Sequence, residues 1–251
     1  MIHVSKDAAE ASRASADLFV QTAREAVARN GRFTVALTGG SSPVQLYKLL
    51  AAAPYRDEVP WDRTFVFWGD ERAVPHADER NNARMAFDLL LDHVPVPPAQ
   101  VHRMSGEGAP DESARQYEAL LKAHFAGGPP QFDLILLGMG DDGHTASMFP
   151  GTDVVHERER WVKELFLASQ NMYRITLTAP LLNQARRIVF QVFGAGKAAT
   201  LKRVLEGPYQ PDQLPSQLIK PTSGELHWFL DEAAAGEIRR PETGGRESGG
   251  R

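Results

Sequence analysis

The sequence predicts a doubly wound α/β fold, a mainly parallel sheet flanked by helices on both faces. Three observations carry this. Short apolar runs rich in β-branched and aromatic residues alternate with longer helix-patterned stretches over most of the chain. The runs ending at Leu37, Trp68 and Leu137 pass directly into polar, mostly glycine-containing loops, which in a parallel sheet share the edge where ligands bind. No linker-like composition or internal repeat interrupts the pattern. The reading is therefore one domain over 1–235, then a disordered tail over 236–251, where Ile238 is the one large apolar residue.

The elements follow in order. Ser5 to Asn30 reads as a helix, with Ser5 as cap, helical spacing of Leu18, Val20, Ala23 and Val27, and Asn30-Gly31 as the stop. Phe33–Leu37 is a strand, and Val44–Ala53 a helix with Pro43 at its first position and Ser42 as cap. Thr64–Trp68 is the second strand, and a helix starts near Asn81 or Asn82. Val101–Arg103 suggests a short strand, and Asp111–Phe125 a helix closed by Gly127-Gly128-Pro129-Pro130. Phe132–Leu137 has the length and apolarity of a strand buried on both faces. An extended piece near Trp161–Leu167 precedes strands at Tyr173–Thr178 and Arg187–Phe193. A helix over Lys197–Leu205, a short helix at Gln213–Ile219, a last strand at Leu226–Leu230 and an Ala-rich turn complete the chain.

Composition excludes several classes. A length of 251 residues and 42% apolar content support a sizeable core. The net charge is −4 and basic residues are scattered, so no nucleic-acid stripe is present. The chain has no cysteine, which removes disulfides, thiolate metal sites and a cysteine nucleophile. The N-terminus lacks a secretory h-region and no run approaches a membrane span. The expectation is a cytoplasmic protein, with monomer and homodimer both open.

The chemistry concentrates in FDLILLGMGDDGHTASMFPG, residues 132–151. Gly138-x-Gly140-x-x-Gly143 matches the dinucleotide fingerprint in form. That reading fails because the motif lies mid-chain and Asp141 and Asp142 would face a pyrophosphate with like charge. Asp142 and His144 instead form a catalytic pair: a carboxylate orients an imidazole, which takes a proton from water near its ordinary pKa of ~6.5. The rival readings are a capping histidine and a metal ligand. The other seven histidines show no ligand spacing, so no metal is expected.

Gly39-Gly40-Ser41-Ser42 fits an anion cradle of backbone N–H groups and hydroxyls, and equally a plain strand-to-helix turn. Asp70, Glu71 and Arg72 fit a solvated charge cluster or, since they follow a strand directly, a site. Arg174 starts a strand and Lys197 starts a helix, where its charge opposes the dipole unless an anion is near.

Together, LTGGSSP, FWGDERAVP, NNARMA, the 132–151 stretch, YRITLT and GAGKA resemble, in this order, the 6-phosphogluconolactonases of the glucosamine-6-phosphate isomerase/6-phosphogluconolactonase family. The resemblance covers the chain from the first helix to Leu230. Related isomerase/deaminases carry a glutamate five residues after the histidine, where this chain has Phe149. Two departures occur: Asn81 replaces the Ser of a usual Ser-Asn pair, and Asn171-Met172-Tyr173 replaces a Pro-rich approach to Arg174.

The resemblance implies an isomerase/lactonase-type Rossmann-like domain and no obligatory metal or organic cofactor. It implies hydrolysis of 6-phospho-D-glucono-1,5-lactone to 6-phosphogluconate, the second step of the pentose phosphate pathway. On this reading the phosphate docks on Gly39, Gly40 and Ser41, with Arg174 and Lys197 as cations. His144 activates the water, Asp142 orients the imidazole, and glycine-loop N–H groups hold the oxyanion. Asp70 and Arg72 shape the site and meet hydroxyls or phosphate. An isomerase/deaminase, disfavoured by Phe149, and a non-catalytic sugar-phosphate sensor, disfavoured by the lack of a DNA-binding segment, are the alternatives.

Overall fold

A computed structural model describes residues 1–239, and the structural statements below concern those residues. The chain opens with an edge strand, β1 (Ile2–Ser5), then α1 (Ala8–Asn30). The expected helix from Ser5 thus starts later. Asp7 caps it, accepting from the Glu10 N–H at 2.8 Å, because Ile2–Ser5 pairs in the sheet. Gly31 ends α1 at φ 77°, which suits glycine. Next come β2 (Phe33–Leu37), α2 (Val44–Leu50) and α3 (Tyr55–Glu58). The helix expected to run to Ala53 stops at Leu50, since Pro54 disfavours helical backbone in the residue before it. Ser42 makes no capping hydrogen bond; Pro43 holds the cap position.

The chain continues through β3 (Thr64–Trp68), β4 (Asp70–Arg72), α4 (Asn82–Leu89), α5 (Pro110–His124) and β5 (Leu134–Gly138). It then forms β6 (Val162–Leu167), β7 (Met172–Leu177), α6 (Ala179–Leu182), β8 (Arg187–Val192), α7 (Ala198–Glu206) and β9 (Glu225–Asp231). Val101 makes an isolated bridge to Val66, and Pro215–Leu218 is a 3-10 turn where a helix was expected.

Six strands form one parallel sheet in the order β1-β9-β8-β5-β2-β3. Its strands alternate between two cores. Phe33, Val35, Leu37, Leu134 and Leu136 face α1, α2 and α4, packing with Phe19, Tyr47 and Ala86. Ala36, Ile135, Leu137, Ile188 and Phe190 face α5, α6 and α7, packing with Leu121, Leu182 and Leu201. Helices therefore cover both faces, as the alternating runs predict.

From β2 the chain moves outward to β3, then returns to place β5 on the other side of β2. The loops after β2 and β5 diverge there, and such a switch point opens a crevice at the carboxyl ends of the strands. A second, antiparallel sheet, β4-β7-β6, was not anticipated. It joins the main sheet where Leu177 N–H donates to the Gly69 carbonyl at 2.8 Å.

The packed chain extends beyond residue 235: Ala234–Glu237 is a 3-10 turn and Ile238 is buried in the core. The expectation of a disordered tail from 236 therefore fails at 236–238, and its part from 240 lies outside the described residues. No described helix is long and apolar enough to cross a membrane.

Candidate active site

The crevice is a cleft of about 370 Å³. Gly39, Gly40, Ser41, Asp70, Arg72, His144, Arg174 and Lys197 all line it, so residues from both sheets converge there. Asp142 stands just behind His144 and reaches the cleft through it.

The loop after β5 is shaped for one contact. Asp142 Oδ1 lies 2.6 Å from His144 Nδ1 and accepts the His144 backbone N–H at 3.1 Å. An ionised carboxylate only accepts, so Nδ1 carries a proton, and in the neutral ring Nε2 is the nitrogen with the free lone pair. Burial pushes the Asp142 carboxyl up, but the two hydrogen bonds from His144 and the ring's charge outweigh it and hold the carboxyl below its ordinary value. Gly140 has to be glycine: a Cβ there would lie 2.0 Å from His144 Nδ1. Phe149 stacks on the imidazole, with ring centroids 4.1 Å apart and planes 30° apart. The ring is thus fixed on one face by an aromatic and at one nitrogen by a carboxylate.

One expectation for this loop changes. Gly140 N–H donates to the His144 carbonyl at 2.9 Å and Gly143 N–H to the Gly140 carbonyl at 3.0 Å. With the His144 N–H on Asp142, these three donors are engaged within the loop and are not offered to an oxyanion. No helix follows Gly143, since Thr145 bridges to Met148 instead, so the dinucleotide fingerprint has no helix to open.

The small sheet supplies the opposite wall. Asp70 is buried; its carboxylate accepts Ser147 Oγ–H at 2.7 Å, and its carbonyl accepts Asn82 Nδ2–H at 3.0 Å. Asn82 in turn sits under Gly39, where a Cβ would lie 1.8 Å from its Oδ1. Glu71 is fully buried and points away from the cleft lining. It accepts backbone N–H groups of Asn82 at 2.7 Å, Ala83 at 2.8 Å and Arg72 at 2.8 Å, tying β4 to the start of α4. Burial pushes its carboxyl up to about 7 against the pull of those donors.

Arg72 and Arg174 are register partners across β4 and β7. Like charges placed opposite one another in a sheet destabilise it unless an anion lies between. Burial, then Arg72, lowers Arg174 to about 10. Lys197 ends a 3-10 turn before α7, and its ammonium sits 2.5 Å from Asp141 Oδ1. The anion offsetting its charge is therefore Asp141, which the sequence reading left without a role. Gly40 takes φ +81° in the loop after β2, beside exposed Ser41.

The structure brings the expected residues together, and adds Asn82, Ser147, Gln170 and Phe149 to the cleft wall. Asn82 was visible within NNARMA but carried no role, and Ser147 and Gln170 gave no local signal. Among the described residues no group of three or more His, Asp or Glu side chains is placed to hold a metal ion.

Known proteins resemble the chain over most of its length. Residues 6–228 match the family described as glucosamine-6-phosphate isomerases/6-phosphogluconolactonase. The chain is 43% identical over 221 residues to the 6-phosphogluconolactonase of Synechocystis sp., covering 86% of this chain and 89% of that protein. Among solved structures, the devB protein superposes with a TM-score of 0.85 at 33% identity, over 95% of this chain and 100% of that one. The 6-phosphogluconolactonase from Trypanosoma cruzi superposes with a TM-score of 0.83 at 27% identity, over 94% and 96%. The chain belongs to the glucosamine-6-phosphate isomerase/6-phosphogluconolactonase family.

Proposed function

We propose that this chain is a lactone hydrolase acting on 6-phospho-D-glucono-1,5-lactone, with His144 as the base that activates water. The observation that carries the reading is the Asp142–His144–Phe149 stack at the cleft. The imidazole has one carboxylate partner at 2.6 Å and an aromatic on its face. The related isomerases place a glutamate where Phe149 stands, so the position that would tie the histidine to ring opening is apolar here. Relatives named 6-phosphogluconolactonase support the lactone-hydrolase part of this reading.

The sugar phosphate spans the cleft. Its phosphate lies against the N–H groups of Gly39 and Gly40, Ser41 Oγ and the Arg174 and Arg72 guanidiniums, with Lys197 at the rim. Remote anion binding then holds the lactone carbonyl by the loop after β5. His144 Nε2 takes a proton from water as the water oxygen bonds to C1. The tetrahedral intermediate collapses with cleavage of the bond from C1 to the ring oxygen. Nε2–H returns its proton to that oxygen, and the new acid ionises, releasing one proton per turnover. Asp142 favours the charged imidazole between the two transfers. Asp70 shapes the sugar end of the wall. None of these steps routes through a metal or organic cofactor.

The test is an assay with freshly made lactone, followed by proton release, with and without a chelator. Turnover above the spontaneous rate in both arms is expected. Ammonia release from glucosamine 6-phosphate without lactone turnover would assign the chain to the isomerase branch. Binding of 6-phosphogluconate without turnover of either would make it a sensor.

A further inference from the structure

Arg174 is a buried cation whose direct side-chain partner is neutral. Its side chain sits on β7 and is only 4% exposed as a residue. Among the described residues it makes no ion pair: one NH2 donates to the amide oxygen of Gln170, and its Nε has no partner. A guanidinium taken out of water is costly unless paired and hydrogen-bonded, and one amide oxygen satisfies a fraction of its donors. Arg72 alongside adds repulsion, which the Asp70 and Glu71 carboxylates offset in part without pairing with Arg174.

Gln170 reaches this position through a local turn. Ala168–Gln170 is a 3-10 turn joining β6 to β7, and Asn171 follows in the left-handed region at φ 47° and ψ 48°. The Asn171 N–H closes the turn on the Ala168 carbonyl at 3.2 Å. The backbone therefore folds Gln170 back over Arg174, four residues on, and its side chain lines the cleft beside Ser41 and Arg72. Asparagine tolerates this conformation better than most side chains, so the turn is built without glycine.

We propose that Gln170 is an exchangeable placeholder on Arg174: its amide oxygen holds the guanidinium at the cleft, and an anionic oxygen of the phosphorylated ligand displaces it. This rests on the phosphate assignment above. Neutrality is what makes the exchange work. A carboxylate at this position would pair with Arg174 bidentately and repel the incoming anion. An amide competes weakly with phosphate and leaves the cation's charge available. Gln170 is thus a positioning residue that sets affinity for the anion and does not touch the reacting carbonyl.

The test is the Kd of 6-phosphogluconate by calorimetry, for the unsubstituted protein, Gln170→Glu, Gln170→Ala and Phe166→Glu. Phe166 is exposed on the same hairpin and lies outside the cleft lining, so it carries the same added charge away from Arg174. Gln170→Glu weakens binding at least ~5-fold, while Gln170→Ala and Phe166→Glu change it by less than ~5-fold. In turnover, Gln170→Glu raises KM and leaves kcat within about twofold, as loss of uniform binding requires. A smaller effect of Gln170→Glu overturns the placeholder. So does an equal loss in Gln170→Ala, which would make Gln170 a direct ligand contact, or in Phe166→Glu, which would make the effect a general field. If the unsubstituted protein binds no 6-phosphogluconate, the substrate assignment itself is wrong and the placeholder falls with it.

Discussion

Gly140→Ala separates the geometry of the Asp142–His144 pair from its chemistry, since it alters neither side chain. The added Cβ would lie 2.0 Å from His144 Nδ1, 2.2 Å from Cε1 and 2.7 Å from Asp142 Oδ1. Favourable separations between such atoms are about 3.5 Å, so the ring has to retreat by more than ~1 Å. The His144 side chain is 29% exposed and can swing into the cleft, which breaks its 2.6 Å bond to Asp142. Lost stacking and one lost hydrogen bond cost the fold about 1–2 kcal/mol. Turnover falls much further, because a displaced base forfeits about 10²–10⁴ of rate. The expected result is a folded protein that binds 6-phosphogluconate normally and hydrolyses fresh lactone at least ~100-fold more slowly. Turnover within ~5-fold of the unsubstituted enzyme would refute the reasoning, since the base would then need no fixed position.

Two predictions concern the frame. Glu71→Gln replaces a carboxylate that accepts three backbone N–H groups with an amide bearing one oxygen. One amide NH2 then faces donors in a buried site, costing about 2–4 kcal/mol, and an unchanged melting temperature would contradict this. His124, packed against Phe67 and bonded to Thr34 at 3.1 Å, is pushed down to about 4 by burial, with Arg32 and His102 adding to it. The unfolded chain takes up a proton near pH ~6.5 that the folded chain resists. Its contribution is therefore present above that pH and is lost as pH falls from ~6.5 to ~4, at an upper limit of about 3 kcal/mol, reduced by the ring's partial exposure. His124→Phe flattens this acid slope in urea unfolding between pH 7 and pH 4.5, and an unaltered slope would place its origin elsewhere.

Much of the main sheet was legible because its strands are buried on both faces. Phe33–Leu37 and Thr64–Trp68 read as continuous apolar runs and are strands at those bounds. β1 was missed because an edge strand of four residues, half exposed, carries no such run. The small sheet was only partly legible. Asp70–Arg72 is all charge, and it becomes a strand because β7 pairs with it, a contact separated by about a hundred residues in sequence. The same pairing puts Arg72 beside Arg174, which no local pattern announces. His144, Asp142 and the glycines were legible because their spacing is local. Asp141 pairing with Lys197, and the internal use of the Gly140 and Gly143 N–H groups, depend on how the loop closes.

The most direct measurement is turnover of fresh 6-phospho-D-glucono-1,5-lactone by His144→Ala, corrected for spontaneous hydrolysis, alongside its Kd for 6-phosphogluconate. If His144 Nε2 is the base, the variant folds, keeps product affinity and loses at least ~100-fold in rate. A variant that binds product and turns over near the unsubstituted rate would contradict the assignment of His144.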